Sequence, residues 1–223
     1  MNVKGFFLSI YSFVSLLIVI IFMVLFRNKI HFIRQLWAAS MVKLINVDIK
    51  EIGELDKEAD VILLNHNSML DVLLLDYLHP KDIAWVANEK LANTPIFGSI
   101  FKLPNLILLD PTKINSIKLL TNKIQEEIAS GRPIGIFPEG TRGDNDEITD
   151  FQKGIKIIAE KLNLKIQPIV LTNTRKRLDT KKYISTPGEV KIIYLDTIQT
   201  LKKNWYEELQ ITFKNTYKNN TGD

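Results

Sequence analysis

Two short stretches of this sequence carry residue types suited to proton transfer and anion binding. The first is Asn65-His66-Asn67-Ser68-Met69-Leu70-Asp71, which follows the apolar run Val61–Leu64 and precedes the apolar Val72–Leu78. That order sets His66 at a strand-to-helix turn, and in open α/β sheets ligands collect outside the carboxyl ends of the strands. A neutral imidazole is a general base suited to near-neutral pH. Asp71 falls in the first helical turn, within reach of one ring nitrogen, where a carboxylate fixes the tautomer and supports the cation formed when the base takes a proton. A second reading fits the same spacing. Ser68 and Asp71 form a helix N-terminal capping pattern, and His66 then bonds only neighbouring backbone.

The second stretch is Arg132-Pro133-Ile134-Gly135-Ile136-Phe137-Pro138-Glu139-Gly140-Thr141-Arg142, again a short apolar run that breaks into a turn. Arginine presents a planar fork matched to phosphate or carboxylate, Glu139 can hold a polyol hydroxyl, and Gly140 lets backbone amides approach a ligand closely. The set suits an anionic alcohol. The alternative is a local Glu139–Arg142 ion pair in an exposed turn, worth about 0–1 kcal/mol.

Composition narrows the chemistry. The chain has 223 residues and 0 Cys, so disulfides, thiolate metal clusters and cysteine nucleophiles are excluded. Its 3 histidines are scattered, and there is no HExxH, no Walker loop and no Gly-x-Ser-x-Gly elbow, so neither a bound metal nor a covalent serine intermediate is expected. The net charge of +4 is too mild to call for nucleic acid.

The elements that must position these residues read as an α/β alternation. Runs at 61–64, 83–86, 106–109, 134–137, 166–171 and 190–195 have strand character. Residues 113–130 and 202–217 have helical stripes, the former ending at Gly131 with Pro133 beyond. Ahead of them, Phe6–Phe26 is 21 residues without a charge, about 31 Å as a helix and close to the thickness of a bilayer's hydrocarbon core. It runs into Arg27 and Lys29 without a small-x-small cleavage site, which favours a retained membrane helix over a cleaved signal. The excess of basic residues after it, Arg27, Lys29, Arg34 and Lys43, favours a cytoplasmic main domain. Residues 31–45 form a second helix with Ile33, Leu36, Trp37, Ser40, Met41 and Leu44 on one side, lying on the membrane interface or packing on the globular part. A basic run, Arg175-Lys176-Arg177 with Lys181-Lys182, reads either as a solvated loop or as a contact for anionic headgroups or donor phosphates.

Taken together, the two motifs resemble the glycerolipid acyltransferase family, over most of residues 31–200. The family's Asn-His-x4-Asp stands as Asn65-His66 to Asp71, and its Phe-Pro-Glu-Gly-Thr-Arg stands as Phe137 to Arg142. Its Phe-x-x-Gly segment is matched by Phe151–Gly154 and its late proline-containing strand by Gln167-Pro168-Ile169-Val170. The family commonly has an arginine after the middle strand, where Asp110 is here followed by Pro111, with Lys113 or Lys102 as substitute cations. Asn88 stands where a lysine is frequent.

The resemblance implies a mixed sheet flanked by helices, an N-terminal membrane anchor and amphipathic helix over 1–45, and an acyltransferase domain over 46–223. It implies His66 as base and Asp71 as its support, with Glu139, Gly140, Thr141, Arg142 and Lys113 binding the acceptor. The implied reaction moves a fatty acyl group from acyl-CoA or acyl-carrier protein, as co-substrate, to the sn-2 hydroxyl of lysophosphatidate, giving phosphatidic acid at the cell membrane with the active site facing the cytoplasm; the alternatives are a related acyltransferase acting on glycerol 3-phosphate, another lysophospholipid or an amino-lipid, or a non-catalytic membrane lipid-binding protein. No further cofactor is implied.

Overall fold

The structure is a computed structural model; it describes residues 3–92, 106–110, 115–143, 147–200 and 204–222. Lys102, Pro111 and Lys113 lie outside the described residues.

Helix α1 (Val3–Leu25) leads through a single 3-10 turn into α2 (Ile30–Ile45). The α/β part then runs β1 (Val47–Ile52), β2 (Val61–Leu64), α3 (Leu70–Leu78), β3 (Ala84–Asn88), α4 (Glu89–Ala92), β4 (Ile107–Leu109), α5 (Ser116–Ala129) and β5 (Ile134–Ile136). It continues with α6 (Lys153–Leu162), β6 (Lys165–Thr172), α7 (Thr174–Arg177), β7 (Leu178–Asp179), β8 (Ile184–Ser185), β9 (Gly188–Tyr194), β10 (Ile198–Gln199) and α8 (Trp205–Asn220). The large sheet has the order β1-β9-β6-β2-β5-β3-β4, with β10 paired to the start of β6. Strands β6, β2, β5, β3 and β4 run parallel, whereas β9 is antiparallel to β6 and β1 is parallel to β9, so the sheet is mixed as expected. β7 and β8 form a separate two-stranded hairpin.

The pleat sorts the core into two layers. In β2, Val61 and Leu63 face α5, α6 and α8, and Ile62 and Leu64 face α2 and α3; all four are fully buried, as a strand covered on both faces requires. The first layer is closed by Leu120, Ile124, Ile155, Ile158, Leu209 and Phe213 from the three helices. Gly135 in β5 lies beside Trp85 of β3. A Cβ on Gly135 would stand 2.5 Å from Trp85 Cε3 and 2.7 Å from Ile83 Cγ2, so the missing side chain is what lets the indole cross β5.

Helix α2 buries Arg34, Ala38, Met41, Val42 and Ile45 against α3 and the sheet. That corrects the face expected for this helix: Leu36 and Leu44 are exposed, and Arg34 points inward. A buried guanidinium is tolerable because it is paired, here with Asp76 on α3 and Asp82 beyond it. Of the two readings offered for α2, packing on the globular part is the one realised. Gly5–Leu25 of α1 is long and apolar enough to cross a membrane. One stripe rests on α2, where Ser15 Oγ accepts from Trp37 Nε1 at 3.1 Å. Most of its large side chains, among them Phe7, Ile18, Ile21 and Leu25, face outward.

Candidate active site

β2 and β5 are neighbouring parallel strands, so their carboxyl ends open on the same side, with Leu63 opposite Ile136. Continuing that register places His66 level with Glu139. The first motif and the second are therefore brought together by strand pairing alone. Asn65 locks the exit of β2 from the other side: its amide nitrogen donates to the Leu171 carbonyl at 2.9 Å and its oxygen accepts from the Leu171 amide at 2.8 Å.

His66 is one-fifth exposed, and its Nδ1 lies 2.9 Å from Asp71 Oδ2. The same Asp71 oxygen accepts from the backbone amides of Asn67 and Ser68, both at 2.8 Å. One carboxylate does both jobs: Asp71 caps the entry to α3 and also pairs with the imidazole, so His66 is not confined to neighbouring backbone. A carboxylate only accepts, so the proton on the shared bond belongs to Nδ1 and Nε2 presents its lone pair. Nε2 has no hydrogen-bond partner among the described residues. Phe137 lies flat against the ring, with centroids 3.8 Å apart and planes 18° apart, and Trp85 stacks behind Phe137 at 5.4 Å and 10°. Trp85 is held in turn by its Nε1 donating to Asp76 Oδ1 at 2.8 Å.

Glu139 is turned inward, 3% exposed. One of its oxygens accepts from the His66 backbone amide at 2.7 Å, and the other accepts from the amide and hydroxyl of Thr149, both at 2.9 Å. Burial pushes its carboxyl above the usual range, against the pull of the amide donors. The expectation that Glu139 stands ready at the rim for a polyol hydroxyl does not describe this arrangement; the carboxylate braces the backbone of His66. The Gly143 amide donates to the His66 carbonyl at 3.1 Å, so the 139–143 turn grips both backbone groups of the histidine. Gly140 has φ of +73°, a left-handed value that favours glycine, and its amide closes the turn onto the Phe137 carbonyl at 3.0 Å. Thr141 is exposed, and Arg142 is half-buried, with one nitrogen donating to Thr180 Oγ1 at 3.3 Å.

Several residues at this site were not singled out from the sequence. Thr149 sits beyond the motif with nothing in its surroundings to mark it. Tyr217, buried on α8, accepts from Asn67 Nδ2 at 2.7 Å and ties the last helix to the His66 turn. Trp85 falls in the predicted strand 83–86, with nothing in its spacing to mark its indole. Of the basic run, Arg175 is tied to the Gly143 carbonyl at 2.9 Å and to Asp179 at 3.5 Å, and Arg177 to the Pro187 carbonyl at 2.8 Å. Those two arginines staple loops together; Lys176, Lys181 and Lys182 are exposed. Asn88 is also exposed, and its Oδ1 accepts from the Lys90 amide at 2.9 Å.

Comparison with known proteins agrees with this geometry. The family model described as Acyltransferase matches residues 45–172. A 1-acyl-sn-glycerol-3-phosphate acyltransferase of Helicobacter pylori is 37% identical over 177 residues, covering 78% of this chain and 75% of that protein. Proteins of the same name from Cocos nucifera and Saccharomyces cerevisiae are 30% and 29% identical, and the aligned part spans about half of each, 50% and 54%. Among solved structures, the 1-acyl-sn-glycerophosphate acyltransferase of Thermotoga maritima has the same fold, with a TM-score of 0.70 at 19% identity over 97% of this chain and 91% of that one. With the two motifs assembled around one histidine and a family match running through both, this chain belongs to the acyltransferase family.

Proposed function

We propose that this protein is a 1-acylglycerol-3-phosphate acyltransferase, moving a fatty acyl group from acyl-CoA or acyl-carrier protein to the sn-2 hydroxyl of lysophosphatidate to give phosphatidic acid. The observation that carries the reading is the His66 ring itself, with Nδ1 held by Asp71 and Nε2 without a partner among the described residues, in a chain whose curated relatives bear that name.

In this reading His66 Nε2 takes the proton of the sn-2 hydroxyl as its oxygen attacks the thioester carbonyl carbon. The tetrahedral intermediate collapses with cleavage of the carbon–sulfur bond, and the leaving thiolate takes the proton from the imidazolium. Asp71 stabilises that imidazolium and holds the tautomer, while the face of Phe137, 3.8 Å away, adds a cation–π contact to the same charge. Arg142 binds the acceptor phosphate with its planar fork. Gly140 gives the turn its shape, and the amide of exposed Thr141, unlike that of Gly140, has no bond to a described residue and serves as oxyanion donor. Glu139 acts at one remove, by fixing the His66 backbone. Lys113 is retained as an acceptor-binding cation on sequence grounds. Holding two lipids in register lowers the barrier by removing the entropy of their encounter.

We assign residues 1–45 to membrane attachment and 46–223 to the acyltransferase domain, with α2 shared between them through its packing on α3. The outward apolar surface of α1 supports attachment to the cell membrane, and the basic residues after it support a cytoplasm-facing site. The test compares wild type with His66→Ala in membranes, using a labelled long-chain acyl thioester of CoA or of carrier protein, and offers lysophosphatidate, glycerol 3-phosphate and other lysophospholipids separately. Phosphatidate formation that His66→Ala abolishes is the expected result. Transfer only to another acceptor overturns the substrate, and no transfer by folded wild type overturns the reaction.

A further inference from the structure

The β7–β8 hairpin is not part of either motif, yet it touches the site. Thr180 at its turn accepts from Arg142 at 3.3 Å, and Arg175 at its base bonds the Gly143 carbonyl at 2.9 Å, one residue past Arg142. The turn is also given a defined shape. Asp179 Oδ1 accepts from the backbone amides of Lys181 and Lys182 at 3.0 and 3.1 Å, and Tyr183 takes a left-handed φ of +53°. This fold of the turn leaves Lys181, Lys182 and Tyr183 exposed, directly after the Thr180 that meets Arg142. On its other side the hairpin meets the apolar α1: β8 is in contact with that helix, and Leu8 of α1 shares an apolar cluster with Leu178. The hairpin therefore spans from the outward-facing apolar helix to the guanidinium of the site.

We infer that the β7–β8 hairpin completes the acceptor subsite, with Lys182 and Lys181 adding positive charge beside Arg142 so that the three side chains together hold the phosphomonoester of the lysolipid. This inference rests on the lysophosphatidate reading above. A phosphomonoester carries close to two negative charges at neutral pH, and Arg142 supplies one positive charge. Arg175, the other guanidinium nearby, is turned to Gly143 and Asp179. The lysines provide the second charge from a turn that their own backbone amides and Asp179 hold in place. Because β8 of the same hairpin meets α1, an acceptor whose acyl chain runs along the apolar helix brings its headgroup to this hairpin.

The experiment uses the full-length protein in mixed micelles of an uncharged detergent, so that no bulk anionic surface contributes. Wild type, Lys182→Gln and Lys181→Gln/Lys182→Gln are compared for acceptor KM, donor KM and kcat. The acceptors are lysophosphatidate and a lysolipid with a phosphodiester headgroup, which carries one negative charge. Loss of charge-assisted contacts raises the KM for lysophosphatidate about tenfold in the double variant, with kcat and donor KM unchanged and a smaller effect on the phosphodiester. Restoring charge with Lys181→Arg/Lys182→Arg returns the KM. An unchanged lysophosphatidate KM in an active double variant overturns the inference and leaves the acceptor reading standing. A rise in donor KM assigns the lysines to the phosphates of the donor, and, in a parallel assay on anionic vesicles, an effect seen there and not in the micelles assigns them to the bulk surface; either overturns it. Failure of wild type to use lysophosphatidate sinks the acceptor reading, and this inference with it.

Discussion

Replacing Gly135 by alanine adds one carbon in the middle of the sheet, four residues before Glu139 and its brace on His66, and its effect follows from three distances. The new Cβ meets Trp85 Cε3 at 2.5 Å, Trp85 Cζ3 at 2.7 Å and Ile83 Cγ2 at 2.7 Å, whereas carbon atoms pack at about 3.5–4.0 Å. The overlap of roughly 1 Å falls on a ring and on the buried, β-branched Ile83 just ahead of β3, neither of which is a flexible tip, so the indole must swing. Overpacking of this kind destabilises by about 1–3 kcal/mol. The swing also breaks the 2.8 Å bond from Trp85 Nε1 to Asp76, a bond to a charged group worth about 1.5–3 kcal/mol. Together they lower the unfolding free energy by about 2.5–6 kcal/mol.

Catalysis falls separately, because Trp85 backs Phe137 and Phe137 backs His66; a displacement of the base by about 1 Å is worth on the order of 10²-fold in rate. Urea titration followed by circular dichroism gives the first quantity and kcat with saturating substrates gives the second. Adding Trp85→Leu to Gly135→Ala removes the overlapping ring, so stability recovers in part while kcat stays low. A Gly135→Ala protein within about 0.5 kcal/mol of wild type and with unchanged kcat refutes the stacking argument.

Asp71→Asn keeps the shape but removes the charge that three donors converge on, and kcat is expected to drop by about 10²–10⁴; a kcat within a few-fold of wild type, measured on protein shown to be folded, rules out imidazolium support by this carboxylate. Glu139→Gln sets an amide N–H against a backbone N–H at either His66 or Thr149, since the carboxylate accepts from both. The unsatisfied buried donor destabilises by about 1–3 kcal/mol in denaturant titration, and a neutral result rejects the bracing role. His79, buried at the end of α3, is held below its ordinary value of 6.5, chiefly by burial, with Lys81 and His31 adding repulsion and Asp76 opposing. The folded state prefers the neutral ring, so its contribution is complete above about 6.5 and is lost as pH falls below that value toward the depressed one. Unfolding free energy measured across that window is expected to fall with acidification in wild type and to flatten in His79→Gln.

The His66–Asp71 contact was legible in the sequence because it is local: the two residues lie on one turn, and their spacing alone sets the reach of one for the other. The strands at 61–64 and 134–136 were legible for a related reason, as uninterrupted apolar runs covered on both faces. The direction of Glu139 was not, since it depends on the register between β2 and β5, which no local pattern encodes. β1, Val47–Ile52, alternates apolar and polar residues but lies half-exposed at the sheet edge, and it was passed over. α6 was missed although Ile155, Ile158 and Ala159 have helical spacing; its opening Lys153-Gly154 was read as the tail of a motif. β7 and β8 are two residues each, too short for a period to show. Arg34 defied its polarity because Asp76 and Asp82 come from elsewhere in the chain.

The edge strand also sets a timetable. Val47 of β1 pairs with Gly188 of β9 and with no strand nearer in sequence. During synthesis at about 5–20 residues per second, roughly 140 residues must follow before the partner of β1 emerges, an interval on the order of ten seconds. Through that interval α1 and α2 are complete while β1 keeps an open edge, and β2 waits on β6 as well as β5. A nascent chain halted before Gly188 holds a finished apolar hairpin and an unfinished sheet, the state in which this protein is most in need of a chaperone.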